Sequence, residues 1–200
     1  MRIMTDLEGW DRSLPAVLVA PIDTVASRRA ALHRFAVAAL ALPESAVSVE
    51  HASGRAPRLR LPEGSSLRLS SASRDGLAAF AIAAGPVGID VERVDGDGDV
   101  PWNVLHPAEV EELRGLSGAA RGRRFACVWA CKEAYLKAIG TGLGREPAAI
   151  SVRIGEGGRA FVDDAVAGGA PATLRWAWYH VRAQAWAVAV AAPGSGGEWV

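Results

Sequence analysis

An α+β fold built as two similar halves is predicted by three observations. Each half reads as a helix followed by strands, the order of a layered α+β unit. A run of Gly and Asp, Asp95-Gly96-Asp97-Gly98-Asp99, followed closely by Pro101, interrupts the chain near its middle and reads as a solvated linker. Half of the 200 residues are hydrophobic, which is enough for a packed core at this length. The division is placed between residues 1–98 and 99–200.

In the first half an apolar stretch, Ala16 to Ala20, precedes a helix expected from about Thr24 to Leu42. Leu32, Phe35, Ala39 and Leu42 recur at helical spacing, and Pro43 ends the run. Val47 and Val49 suggest a short strand. Gly54 to Glu63 is rich in Pro and Arg and reads as a loop. Leu67 to Ser71 alternates as a strand does. Leu77 to Ala83 and Val87 to Val91 read as two strands joined by a Gly85-Pro86 turn. In the second half, Pro107 to Leu116 and Arg121 to Ile139 read as helices, the latter ended by Gly140 and Gly142. Ile150 to Ile154, Ala160 to Val162, Leu174 to Val181 and Gln184 to Ala191 read as strands. Trp176 and Trp178 share one face of theirs, and Trp186 and Val188 share one face of the next; both pairs are expected in the core.

Composition excludes several classes. The 22 basic and 22 acidic side chains balance, so nothing favours a nucleic-acid binder that works through excess positive charge, or a charged disordered tail. No apolar run is long enough for a membrane span, and the N-terminus lacks the apolar stretch of a signal peptide, so a cytoplasmic location is expected. Cys127 and Cys131 have no second ligand pair and read as free thiols on one helix face. The acidic run at 95–99 fails the spacing of a calcium loop. Within the basic set, 20 residues are Arg and only Lys132 and Lys137 are Lys. Both fall in one helix. Either a composition biased toward Arg left two lysines close together by chance, or these two positions need a compact ammonium rather than a planar guanidinium.

The chemistry concentrates in two segments. In Gly88-Ile89-Asp90-Val91-Glu92, strand geometry puts Asp90 and Glu92 on one face and Ile89 and Val91 on the other. Two carboxylates so placed repel each other, so they want a cation between them or one stays protonated; hard oxygen ligands of this kind suit Mg²⁺ or Mn²⁺. On the second helix Phe125, Val128, Trp129, Leu136 and Ile139 form an apolar arc with Lys132 near its centre. A charge there is costly unless it is paired or faces a site. Glu133 and Lys137 lie together at the arc's edge, one turn apart. A carboxylate beside two lysines could serve a metal-bound phosphate: the glutamate for the metal, the lysines for phosphate oxygens.

The pair of segments, G-I-D-V-E and then W-A-C-K-E-A-Y-L-K-A-I-G-T-G-L, resembles the two signature motifs of the 4′-phosphopantetheinyl transferases. Motif spacing and chain length resemble the Sfp-type branch, and Trp129 with Lys132-Glu133-Ala134 resembles its W/KEA subgroup, associated with polyketide and fatty-acid systems and secondary metabolism. Gly54-Arg55, with Pro57 one place late, resembles a G-[RK]-P segment of the family, and Pro107 to Leu113 with Glu109 resembles the helix between the motifs. The resemblance implies a pseudo-two-fold arrangement of the halves, with coenzyme A bound between them.

It also implies an enzyme that transfers 4′-phosphopantetheine from coenzyme A to a serine of an apo carrier protein of polyketide, fatty-acid or peptide synthases. Asp90, Glu92 and Glu133 match the metal ligands, with Mg²⁺ or Mn²⁺ as cofactor. Lys137 matches the lysine on the coenzyme A pyrophosphate, and Lys132 takes a phosphate-side or supporting role. Arg28, Arg29 and Arg34 match basic residues near the adenosine 3′-phosphate, and Arg55 and Ser70 complete the coenzyme A set. Glu133 is the expected base for the serine hydroxyl, and Lys137 stabilises or protonates the leaving group. One departure stands out. Where the family carries N-[IL]-S-H-S, this chain reads Arg68-Leu69-Ser70-Ser71-Ala72, with Arg68 for Asn and Ser71 for His. That histidine helps hold coenzyme A phosphates, and Arg68 or Arg74 could supply replacement charge. The alternative is a homologue that binds a carrier protein or coenzyme A without turnover or with altered specificity. No nucleic-acid or membrane partner is expected, and a monomer is expected because two halves in one chain can form the cleft.

Overall fold

The computed structural model describes residues 15–51, 57–61, 67–96, 98–165 and 172–192. Helices and strands stack in four layers: helix, sheet, sheet, helices. The first sheet is antiparallel in the order β1-β5-β4, with β1 Ala16–Pro21, β4 Arg68–Arg74 and β5 Leu77–Ala83. All of β5 is buried, as its unbroken apolar run requires for a central strand covered on both faces. Ala16, Ala78, Phe80 and Ile82 face α1, Val25–Leu40, whose Leu32, Phe35, Ala36 and Ala39 fill the layer between. Thr24 caps that helix by accepting from Ser27 N at 3.0 Å.

The second sheet runs β6-β10-β9-β8-β7, with β6 Gly88–Arg93, β7 Ser151–Ile154, β8 Arg159–Asp163, β9 Ala172–Val181 and β10 Gln184–Ala191. One face, carrying Ile89, Val91, Trp186, Val188 and Val190, packs against Val17, Val19, Ala79 and Ala81 of the first sheet. The other face carries Ala187, Ala189, Leu174 and Val152 and packs on α3, Gly118–Ala138. A shorter helix, α2, Pro107–Arg114, lies beside it and begins with a capping box in which His106 N donates to Glu109 Oε2 at 2.8 Å. β6 precedes the division expected at residue 98, yet it hydrogen-bonds to β10 of the second half, with Asp90 opposite Ala189.

The mixed α+β fold, both helical regions and the late strands stand as expected from the sequence. Two local features differ. The segment read as a loop contains a strand, β3 Arg58–Arg60, which pairs with β2 Ser48–Glu50 in a separate two-stranded sheet. Its Arg-Leu-Arg alternation is short, and both arginines are exposed. β5 and β6, expected as strands joined by Gly85-Pro86, do follow one another, but they belong to different sheets. Among the described residues no helix is long and apolar enough to cross a membrane. Both cysteines are free and buried, and burial pushes the Cys127 thiol up to about 12. Trp176 and Trp178 are half-buried and meet edge to face at 5.5 Å against the α3 core, and Trp186 is buried between the sheets.

Candidate active site

The site forms where α3 crosses β6. The crossing is close because position 88 has no side chain: a Cβ there would lie 1.9 Å from the Ala134 carbonyl oxygen. Strand alternation then turns Asp90 and Glu92 toward the helix, and Glu133 and Lys137 come down from one turn of α3 to meet them. Lys137 Nζ lies 2.6 Å from Asp90 Oδ1 and 3.3 Å from the carbonyl oxygen of Ile89, so one ammonium joins strand and helix. Asp90 is 5% exposed, and its Oδ2 is buried without a hydrogen-bond partner among the described residues.

Electrostatics reflect the crowding. Burial pushes the Asp90 carboxyl up, against the pull of Lys137. Glu92 is pushed up to about 7, chiefly by burial and then by the Asp90 carboxylate, with Arg74 opposing and Glu133 adding to the rise. Glu133 is raised by burial and by Asp90, with Lys137 opposing. Burial holds all three carboxylates toward the protonated form, and Asp90 adds to the rise at Glu92 and Glu133; a cation would relieve such a set.

As the side chains stand, no three His, Cys, Asp or Glu among the described residues are placed to hold one metal ion. The donor set nonetheless suits a hard divalent cation: all oxygen, with Asp90 Oδ2 free.

Lys132 goes elsewhere. It is fully buried, 2.7 Å from Glu109 Oε2, and it donates to the carbonyl oxygens of Pro147 and Ile150 at 2.8 Å each and of Val104 at 3.2 Å. Its three N–H groups are thereby committed, leaving none for a phosphate. Of the two roles expected for it, the geometry gives the supporting one. Glu109, 2% exposed, also accepts from Val152 N at 2.7 Å. Burial raises Glu109 and lowers Lys132. Every partner of the carboxylate is a donor and every partner of the ammonium is an acceptor, an arrangement that opposes both shifts. This node ties α2, β7 and two turns to α3, one residue before Glu133.

Ser70 is similarly occupied: buried on β4, its hydroxyl accepts from Ile89 N at 3.0 Å and links the two sheets. The residue expected at coenzyme A thus has a structural hydrogen bond, with its own O–H left to donate. Arg28 and Arg29 do line a cleft, of about 300 Å³, between α1 and β4, together with His51, Ser71 and Ser73. Arg28 Nη1 hydrogen-bonds Ser73 Oγ across it. Arg34 is exposed further along α1 and does not line this cleft. Arg55 lies outside the described residues. Arg68, at the start of β4, is exposed.

A second groove, of about 430 Å³, adjoins the carboxylates and is lined by Arg74, Glu92, Arg93, Phe125 and Trp129. The two rings stack at 6.4 Å. A third cavity, of about 460 Å³, lies between α2 and β7–β8 and contains none of the carboxylates at the α3–β6 crossing. His51 and Ser73 escaped the sequence reading, whereas Arg74 was named there as a source of replacement charge. Ser73 was open to recognition, since it lies two residues after Ser71 and so on the same face of β4.

Comparison with known proteins adds a family. The 4′-phosphopantetheinyl transferase superfamily matches residues 86–191. No curated protein matches the chain. Among solved structures, the chain is similar to a holo-(acyl-carrier-protein) synthase from Bacillus anthracis str. Ames in complex with CoA (3′,5′-ADP). The identity is 23%, over 53% of this chain and 94% of that one, with a TM-score of 0.35. It is similar also to the Thermotoga maritima holo-[acyl-carrier-protein] synthase, at 23% identity over 53% of this chain and 62% of that one, again with a TM-score of 0.35. The family match covers more than half of the chain and takes in the whole α3–β6 crossing with Asp90, Glu92, Glu133 and Lys137; the chain belongs to the 4′-phosphopantetheinyl transferase superfamily.

Proposed function

We propose that this transferase moves 4′-phosphopantetheine from coenzyme A to a serine of an apo carrier protein in a reaction that depends on Mg²⁺ or Mn²⁺. The observation that carries the reading is the apposition of Lys137 with Asp90 at the α3–β6 crossing, with Glu92 and Glu133 alongside. Asp90, Glu92 and Glu133 would hold the metal. A divalent cation at that place supplies neutralisation of pyrophosphate charge.

The chain's own residues do the rest. The cleft with Arg28, Arg29 and Ser73 takes the anionic adenosine end of the substrate, where guanidinium groups suit phosphate. Lys137 neutralises charge on the pyrophosphate and stabilises or protonates the departing adenosine 3′,5′-bisphosphate. Glu133, held toward protonation by its neighbours, accepts the proton of the attacking serine hydroxyl. The W-x-x-K-E-A pattern at Trp129 to Ala134 supports the W/KEA subgroup of the Sfp-type branch, and with it a polyketide or fatty-acid carrier in secondary metabolism. We further propose that the chain acts as a cytoplasmic monomer.

The test is incubation with coenzyme A, Mg²⁺ and an apo carrier protein, followed by mass spectrometry of the carrier. Gain of one phosphopantetheine on the carrier is expected, and its loss in both Asp90→Asn and Glu133→Gln. No gain on any of a polyketide, fatty-acid or peptide carrier would refute the reading.

A further inference from the structure

β4 ends between the two cavities. Ser73 turns into the arginine-lined cleft, and the next residue, Arg74, turns into the groove beside Glu92. The strand stops there in a two-residue turn whose backbone is left-handed at both positions, Asp75 at φ 46° and Gly76 at φ 82°. The turn therefore holds the Asp75 carboxylate near the base of Arg74. Arg74 Nε lies 3.8 Å from Asp75 Oδ2 and 3.7 Å from Glu92 Oε2. Both distances exceed hydrogen-bonding reach. The side chain is 51% exposed, so its guanidinium is held by charge and little else.

The contrast with Lys137 is informative. Lys137 is hydrogen-bonded on the other side of the cluster, to Asp90 and to the backbone. Three carboxylates thus face one fixed cation and one loose one. A divalent cation at Asp90, Glu92 and Glu133 would bring enough positive charge to make the loose cation surplus. The surplus guanidinium would then stand at the strand end that a substrate must cross to reach from the first cleft to the carboxylates. It has five N–H donors and a geometry matched to phosphate.

We infer that Arg74 is an exchange residue: it neutralises Glu92 in the metal-free protein, yields that carboxylate to the divalent cation, and transfers to a phosphate oxygen of the pyrophosphate substrate. The inference rests on the transferase reading above. It predicts effects of opposite sign from one substitution, which a merely structural arginine would not produce.

The test measures two affinities for the wild type, Arg74→Gln and Arg74→Lys, with Arg153→Gln as a control on exposed β7. Without coenzyme A, Mn²⁺ binding is followed by the electron paramagnetic resonance of the free ion. Removing the competing half-exposed cation should tighten Mn²⁺ about 2- to 5-fold in Arg74→Gln and leave Arg74→Lys near the wild type. At saturating Mn²⁺, coenzyme A binding by calorimetry should weaken roughly 10- to 100-fold in Arg74→Gln, with Arg74→Lys in between. Unchanged or weaker Mn²⁺ binding in Arg74→Gln overturns the exchange, as does equal tightening in Arg74→Lys. Coenzyme A affinity equal to the wild type overturns the transfer to phosphate. A wild type that binds neither ligand overturns this inference together with the transferase reading; a wild type that binds both, with Arg74→Gln unchanged, overturns this inference alone.

Discussion

Glu92→Gln should make the metal-free protein more stable while destroying its proposed use. Glu92 sits 14% exposed on β6 with its pKa raised from 4.5 to about 7, mainly by burial and by Asp90. The folded state therefore holds this proton more tightly than the unfolded chain does. The associated stability is fully present below pH 4.5 and is lost as pH rises through about 7. At pH 8 the penalty for keeping Glu92 ionised is about 3 kcal/mol, and at pH 5 it shrinks to roughly 1 kcal/mol. Glutamine removes the charge at every pH. That penalty already nets off the attraction to Arg74, which for a pair 3.7 Å apart with one half-exposed partner is worth at most about 1 kcal/mol. The gain at pH 8 is therefore about 3 kcal/mol, which for a chain of this size raises Tm by roughly 6–12 °C. Thermal unfolding by circular dichroism in a chelator, at pH 5 and pH 8, measures it. Equal Tm at pH 8, or a variant that melts lower, would refute the argument that burial and the neighbouring carboxylates together disfavour an ionised Glu92 in the absence of metal.

Other predictions extend from the same geometry. Mn²⁺ affinity of the wild type should fall as pH drops below about 7, by up to about tenfold per pH unit, because a proton on Glu92 competes with the ion; a flat titration between pH 6 and 8 would count against Glu92 as a ligand. Lys137→Arg should lower transfer at least about tenfold with little change in Tm, since a planar fork cannot occupy the compact position between Asp90 and the Ile89 carbonyl; wild-type turnover would remove the need for an ammonium. Lys132→Met should cost about 3–5 kcal/mol by stranding the Glu109 carboxylate, lowering Tm by roughly 10 °C, and adding Glu109→Met should restore part of it; additive losses would show the two are not coupled. Gly88→Ala should abolish soluble folded protein or transfer, because its Cβ would meet backbone of α3; a fully active variant would contradict the close crossing of β6 and α3.

The long helices could be read directly because their apolar residues repeat at helical spacing and their ends carry caps: Thr24 and Pro43 around α1, Pro107 at the start of α2, Gly140 after α3. The motif carboxylates could be read because alternation on a strand and a one-turn offset on a helix each fix a face. Partners distant in sequence could not. Nothing local ties Lys132 to Glu109, or Ser70 to the amide of Ile89, since each pair forms only when separate elements pack. Strand partners were hidden for a related reason. β5 and β6 are both apolar around a turn, and an apolar run specifies burial but not which neighbour provides it. β3 escaped because one half-buried leucine between two exposed arginines, set among Pro- and Gly-bearing stretches, carries too short a burial signal.

The apolar layer between the two sheets has a consequence for substrate choice. The arginine-lined cleft belongs to the α1 side of that layer, and the carboxylates belong to the α3 side. In the proposed transferase, Val17, Ile89, Trp186 and Val188 would act as a spacer that sets how far apart the two ends of a bound coenzyme A must lie. Trimming or enlarging these side chains touches no ionised group, yet it would alter the length the protein measures.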